Sequence, residues 1–164
     1  MKSFIISILI LMATSSYSQA QINESNNIIS SDSLIEFSKQ FIGTPYKYAC
    51  CNPKIGFDCS GFVYFVFTHF KVKAPRSSID YMNTGKTIHP DSFKIGDIIV
   101  FTGTNSKNKT PGHVGIITSN AGEPLQFIHS SSNKKHSGVK ISSYKESPYY
   151  EKRFLKIVRI TNLY

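Results

Sequence analysis

Apolar residues along this chain change their spacing once, from a helical period before residue 70 to short alternating or continuous runs after residue 95, and that change restricts the fold more than any other feature. Leu34, Ile35, Phe37, Phe41 and Ile42 fall at helical spacing and predict a helix over Asp32–Ile42, ended by Gly43. Residues 43–57 carry Pro45, Pro53 and Gly56 and read as an irregular loop. A second helix is expected from Cys59 to Phe70. Its Phe62, Val63, Phe65, Val66, Phe67 and Phe70 occupy most of the circumference, so it should be buried rather than amphipathic. A short third helix should follow Pro75-Arg76, where Ser77 and Asp80 stand at capping-box spacing with Asp in place of the usual Glu. Strands are then expected at Ile98–Thr102, Val114–Ser119, Leu125–His129, Val139–Ser142 and Phe154–Ile160, separated by Gly, Asn, Pro and Ser clusters. Helices first and strands afterwards predict a single α+β domain in which the buried helix packs on an antiparallel sheet.

The first twenty residues are read as standing outside that domain. Lys2, the apolar run Phe4–Ala13 and the small polar stretch ending Ser18-Gln19-Ala20 have the three-part layout of a secretory signal peptide, with cleavage expected after Ala20. About ten apolar residues are half of what spans a bilayer, so stable membrane insertion is not expected. No cysteine lies in the segment to accept a lipoprotein anchor. Residues 21–30 are polar without a clear period and read as a tether. A secreted or periplasmic, soluble and monomeric product follows. The formal charge is +9, and losing the leader removes Lys2 alone among its charged residues. Outside a cell, a basic surface suits wall polymers or membrane headgroups. It also suits the plainer reading of a solvated face that happens to be basic. Scattered Lys and Arg, with no zinc-finger or RNA-binding signature, argue against nucleic acid.

Three cysteines, Cys50, Cys51 and Cys59, lie within ten positions, an odd number in a chain read as exported. Their spacing is not that of a zinc site, and neither metal nor organic cofactor is expected. A bridge between the neighbours Cys50 and Cys51 would be strained, so free thiols are favoured. Cys59 opens the buried helix, where unpaired N–H groups and a partial positive charge stabilise a thiolate. Gly61 removes a side chain from the same turn, letting a substrate backbone approach. Cys59 is equally readable as a small core residue. A nucleophilic thiol needs a base within hydrogen-bond reach. His69, ten positions later on the same helix, lies roughly 15 Å away along the axis. His89 and His136 sit in polar connections. His113 follows Pro111-Gly112 at the start of a strand, and His129 ends a neighbouring one, so the two rings could lie side by side as base and orienting group. Satisfied core or edge histidines are the alternative.

The ordered set Gly43-Thr44-Pro45-Tyr46, Phe57-Asp58-Cys59-Ser60-Gly61-Phe62-Val63, Pro75-Arg76-Ser77, Gly96-Asp97-Ile98, Gly112-His113-Val114-Gly115-Ile116 and Phe127-Ile128-His129-Ser130 resembles the NlpC/P60 family of cysteine peptidases over roughly residues 31–160. Within it the likeness is greatest to the single-domain Spr-type murein endopeptidases, including the tail from Gly138-Val139 through Tyr149-Tyr150 and Arg153. The resemblance implies a papain-like fold, a catalytic domain over 31–164, a Cys59-His113-His129 triad and peptidoglycan stem peptides as substrate. It also implies that Tyr46 points its hydroxyl into the site and that Asp58 and Ser60 flank the nucleophile as substrate-orienting groups. Packing, N-capping and a first-turn polar position are the structural alternatives for these three. Where the family has two glycines shortly after the tyrosine motif, this chain has Ala49-Cys50. If those positions need positive φ, each replacement costs about 1 kcal/mol or more.

The expected reaction is hydrolysis through an acyl-enzyme: the Cys59 thiolate attacks a wall-peptide carbonyl, paired with a His113 imidazolium that protonates the leaving amine, while His129 orients His113. The bond, γ-D-glutamyl–diamino acid or D-alanyl–diaminopimelyl, is left open. A non-catalytic wall-binding module and a papain-like amidase or acyltransferase are the competing classes.

Overall fold

The computed structural model describes residues 30–145 and 148–161. The expected leader and all of the expected tether except Ser30 lie outside them. Ser30 itself caps the first helix, α1 (Ser31–Lys39), its hydroxyl accepting from Ser33 N–H at 3.4 Å. α1 stops three residues short of Ile42 and unwinds through a turn to Gly43, whose N–H donates to Val139 O at 2.9 Å. The turn thereby hooks the helix end onto the far edge of the sheet.

The expected irregular loop contains a small antiparallel hairpin, β1 (Cys51–Asn52) and β2 (Gly56–Phe57), with Cys51 opposite Phe57. Two-residue strands have no period to detect. α2 (Cys59–His69) follows, and its first five residues, with Val66 and Phe67, are buried. Ser77 N-caps a 3-10 helix (Ser78–Asn83), but its side chain makes no cap bond, so the expected capping box is not formed. Asp80 is one methylene shorter than the Glu that reaches back in that motif.

The remaining strands are β3 (Lys86–Ile88), β4 (Ile98–Thr102), β5 (Pro111–Ile117), β6 (Gln126–Ser131) and β7 (Gly138–Ser143). A one-turn helix, α3 (Pro148–Glu151), precedes β8 (Phe154–Arg159). They form one antiparallel sheet in the order β3-β8-β4-β5-β6-β7. β5 starts three residues earlier than expected, which places His113 third in the strand, opposite Phe101 of β4.

Alternation along β4 divides the core. Ile98 and Val100 face α2 with Phe62, Val63, Val66, Val114, Ile116 and Ile128, while Ile99 and Phe101 face the other side with Phe93, Ile117, Phe127 and Ile157. α1 meets α2 through aromatic rings: Phe37 and Phe65 stack at 5.8 Å, and Phe41 meets Phe65 edge-on at 5.0 Å. Deep in the fold, Arg159 of β8 grips the fully buried Asp97 with two bonds of 2.7 and 2.8 Å, fixing β8 beside the turn that enters β4.

Candidate active site

Cys59 is the first residue of α2, and the chain works to hold that helix start in place. Asp58 N-caps it, accepting from Gly61 N–H at 2.6 Å. Arg76 clamps the same carboxylate through both nitrogens, at 2.9 and 2.8 Å, and also donates to Ser60 Oγ at 3.3 Å. Ser60 in turn donates to Asp58 at 3.3 Å. Asp58 and Ser60 are thus engaged in a bracket behind Cys59, and neither lines the cleft in front of it. The resemblance implied substrate-orienting roles for both; here their hydrogen bonds run to Arg76, to Gly61 and to each other. Gly61 also serves the chain rather than a substrate, since a Cβ there would collide with the Cys50 carbonyl oxygen.

In front of α2 lies a cleft of about 730 Å³ lined by Tyr46, Cys59, His113, Ser142, Tyr150 and Arg153 among others. Cys59 Sγ lies 3.9 Å from Gly112 O, on the residue preceding His113. His113 Nε2 and His129 Nδ1 are 2.9 Å apart, with the ring planes at 89°. Gly115 permits this approach of β5 and β6: a Cβ on it would stand 2.7 Å from the Phe127 ring and 3.2 Å from His129 Cβ. His129 Nε2 reaches Ser142 Oγ at 2.9 Å, with Tyr150 Oη at 3.4 Å. Of the expected residues, Cys59 and His113 line the cleft, while His129 is fully buried and reaches it only through His113. Tyr46, half-buried beside Phe57, lines it as well. The other histidines stand apart: His69 stacks on Phe37 at 3.8 Å between the helices, and His89 and His136 are exposed.

Burial decides the charge state of this group. It pushes the Cys59 thiol up, assisted by the Asp58 carboxylate and opposed by N–H groups of Val114, Ser60 and Cys59 itself. It pulls His113 down to about 3, with the Arg153 guanidinium adding to the effect. His129 is also held well below its ordinary value, by burial first and then by His113, Lys140 and Arg153. The expected lowering of the thiol by the helix amides is present but is outweighed. Each of these shifts favours the neutral form, of the thiol and of both imidazoles.

All three cysteines are free. Among the described residues, no cluster of His, Cys, Asp and Glu has the makings of a metal site, and no helix is long and apolar enough to cross a membrane.

The NlpC/P60 family model matches residues 43–159, the stretch that carries every residue of the cleft named above. The chain belongs to the NlpC/P60 family. It is 30% identical over 159 residues to the gamma-DL-glutamyl hydrolase of Bacillus subtilis (strain 168), covering 97% of this chain and 36% of that protein. It is 36% identical over 110 residues to the murein DD-endopeptidase MepS/murein LD-carboxypeptidase of Escherichia coli (strain K12), covering 66% of this chain and 52% of that protein. The chain thus spans only about a third to a half of these relatives. An NlpC/P60 family protein from Bacillus cereus ATCC 10987 superposes with a TM-score of 0.72 at 26% identity, over 82% of this chain and 41% of that one. The α+β architecture with helices and an antiparallel sheet is the family fold.

Against that NlpC/P60 background, the Ala49-Cys50 departure is half paid for in strain: Ala49 has φ +55°, the left-handed region, and Cys50 does not. Ser142 escaped the sequence reading, because a serine in a strand gives no signal until the register places it on His129, and Tyr150 was seen only in the tail that carries the resemblance, without its approach to His129. Arg76 was visible only as part of a motif, without its grip on Asp58.

Proposed function

We propose that this chain is a cysteine peptidase that hydrolyses peptide stems or crosslinks of peptidoglycan through an acyl-enzyme on Cys59. The observation that carries the proposal is that Cys59 and His113 line one open cleft, with His129 buried behind His113 and the two imidazoles joined at 2.9 Å. A non-catalytic wall-binding module needs no thiol, base and orienting group in line. The relatives named above, an endopeptidase and a glutamyl hydrolase, support the same class.

The steps follow from the hydrogen bonds. In the productive tautomer His129 Nε2–H donates to Ser142 Oγ, and His113 Nε2–H donates to His129 Nδ1, which leaves His113 Nδ1 with a free lone pair. With both partners neutral at rest, the Cys59 proton passes to His113 Nδ1 as sulfur attacks the carbonyl, so His113 acts as general base rather than as half of a standing ion pair. The imidazolium formed is stabilised by the bond to His129. The first-turn N–H of Cys59 has no intrahelical partner and is placed to hold the oxyanion, with the Tyr46 hydroxyl at the same cleft. His113 then protonates the leaving amine, the amine departs, and the thioester is hydrolysed by water that gives its proton to the same nitrogen.

Residues 1–20 export the chain to the wall in this reading, residues 21–29 tether it, and the basic charge favours an anionic polymer. Digesting purified peptidoglycan and identifying the fragments by mass spectrometry tests the function. New paired amine and carboxylate ends are expected from wild type and none from Cys59→Ala; intact wall peptides in both samples would contradict the proposal.

A further inference from the structure

The cleft has a charge that the proposed reaction does not use. Lys140 and Arg153 line it, and among the described lining residues none is acidic. Arg153 is only 4% exposed, and an unpaired buried cation is costly enough that burial ordinarily comes with a carboxylate partner. Among the described residues Arg153 has none. It is held by neutral groups instead: Nε donates to Gly103 O at 2.7 Å, Nη2 donates to Thr102 O at 2.6 Å, and the Tyr149 ring lies 4.3 Å from Cζ. Nη1 has no such partner there, and it is not sealed in the core, since Thr118 Oγ1 is the buried polar atom left unsatisfied among the described residues. A positive charge is therefore fixed rigidly at the cleft wall with a donor to spare.

Its anchor tells which side it serves. Gly103 packs against Gly112, where an added Cβ would stand 2.5 Å from Gly103 Cα, and Gly112 leads directly into His113. Arg153 therefore stands on the histidine side of the cleft. His113 must reach the leaving amine, so the leaving residue occupies that side too.

We propose that Arg153, assisted by Lys140, is a specificity-determining residue that receives a free carboxylate on the carbon bonded to the leaving nitrogen. The inference rests on the wall-peptide hydrolysis proposed above and narrows it. In a D-alanyl–diaminopimelyl crosslink the leaving nitrogen sits on a carbon that carries a free carboxylate. In a γ-D-glutamyl–diamino acid link within a longer stem, the corresponding carboxyl is consumed in the next peptide bond. A planar guanidinium that can offer a charge-assisted bond to the former finds only a neutral carbonyl in the latter. The site favours the crosslink.

The test compares two crosslink peptides that differ only at that group, free acid or amide, by kcat/KM on wild type, Arg153→Gln, Arg153→Lys and Lys140→Gln. Wild type should prefer the acid by about tenfold or more, mainly through KM, as expected for a contact made before and during reaction. Arg153→Gln should bring the ratio near one, Arg153→Lys should keep part of it, and Lys140→Gln should lower it by about twofold to threefold. Each ratio compares two substrates on one sample, so partial unfolding of an Arg153 variant cancels, and the Lys140 variant and the wild-type ratio decide the matter should Arg153→Gln not fold. Equal cleavage of both peptides by wild type, or a wild-type ratio in Arg153→Gln, would overturn the inference. Cleavage of neither would count against the proposed hydrolysis instead, and the inference would then be read from the dissociation constants of the two peptides with Cys59→Ala protein, where equal values refute it.

Discussion

Cys59 gains its standing from its neighbours rather than from being a cysteine. Asp58 and Arg76 fix the helix start, Gly112 O lies 3.9 Å from the sulfur, His113 lines the same cleft, and His129 is held by Ser142. Replacing Cys59 with Ala should lower wall-peptide cleavage by at least about 10³-fold, while Cys50→Ala and Cys51→Ala keep most of it. A comparable loss in either of the latter, in a steady-state assay with matched protein, would move the nucleophile elsewhere. His129→Ala should cost on the order of 10²-fold in kcat by freeing the His113 ring, and His129→Gln or Asn, which still accepts a hydrogen bond, should recover part of it. Equal loss in all three variants would show that acceptance of that bond is not what His129 supplies. Cys59 and both imidazoles were legible in sequence as candidates because each sits in a distinctive local context: a helix start, a Pro-Gly strand entry and a strand end. Their charge state was not legible, because the helix amides are a local property and the burial that overrides them is a property of the whole fold.

At the level of elements, the long periodic segments were readable and the short ones were not. α2 and the strands β4 to β8 follow their apolar patterns, with ends displaced by a few residues. β3 escaped because Lys86 and Thr87 are exposed and Ile88 alone is buried, which leaves no alternation to see. The β1–β2 hairpin and α3 are too short to have a period at all. The loop under α2 carries the one strain that sequence comparison foresaw, at Ala49, and Cys50 O of that loop accepts from Asp58 N–H at 2.9 Å. Ala49→Gly should therefore stabilise the protein by up to about 1 kcal/mol, since relief of the left-handed conformation outweighs the added freedom of the unfolded chain. Urea denaturation of the two proteins checks this, and a midpoint shifted downwards would show that Ala49 is unstrained.

For the whole molecule, the buried neutral imidazoles tie stability to pH. His113 folds with its pKa lowered to about 3 from the ordinary 6.5. The unfolded chain then binds a proton that the folded one refuses, so this contribution is complete above pH 6.5 and is lost as pH falls from there towards 3. Between pH 7.5 and 5 the loss should amount to about 2 kcal/mol for His113, at 1.36 kcal/mol per pH unit. His129 acts in the same direction. Denaturation at the two pH values should show a steeper decline for wild type than for His113→Gln; equal declines would mean that the folded site accepts the proton. The central claim, a covalent intermediate on Cys59 formed with His113 as base, is tested most directly by acid-quenching the enzyme within its first turnover of a wall peptide and weighing the intact protein and its digest. A thioester adduct of the acyl fragment on the Cys59 peptide is predicted, absent from Cys59→Ala and strongly reduced in His113→Ala, whereas cleavage without any adduct, or an adduct on Cys50 or Cys51, would contradict the account.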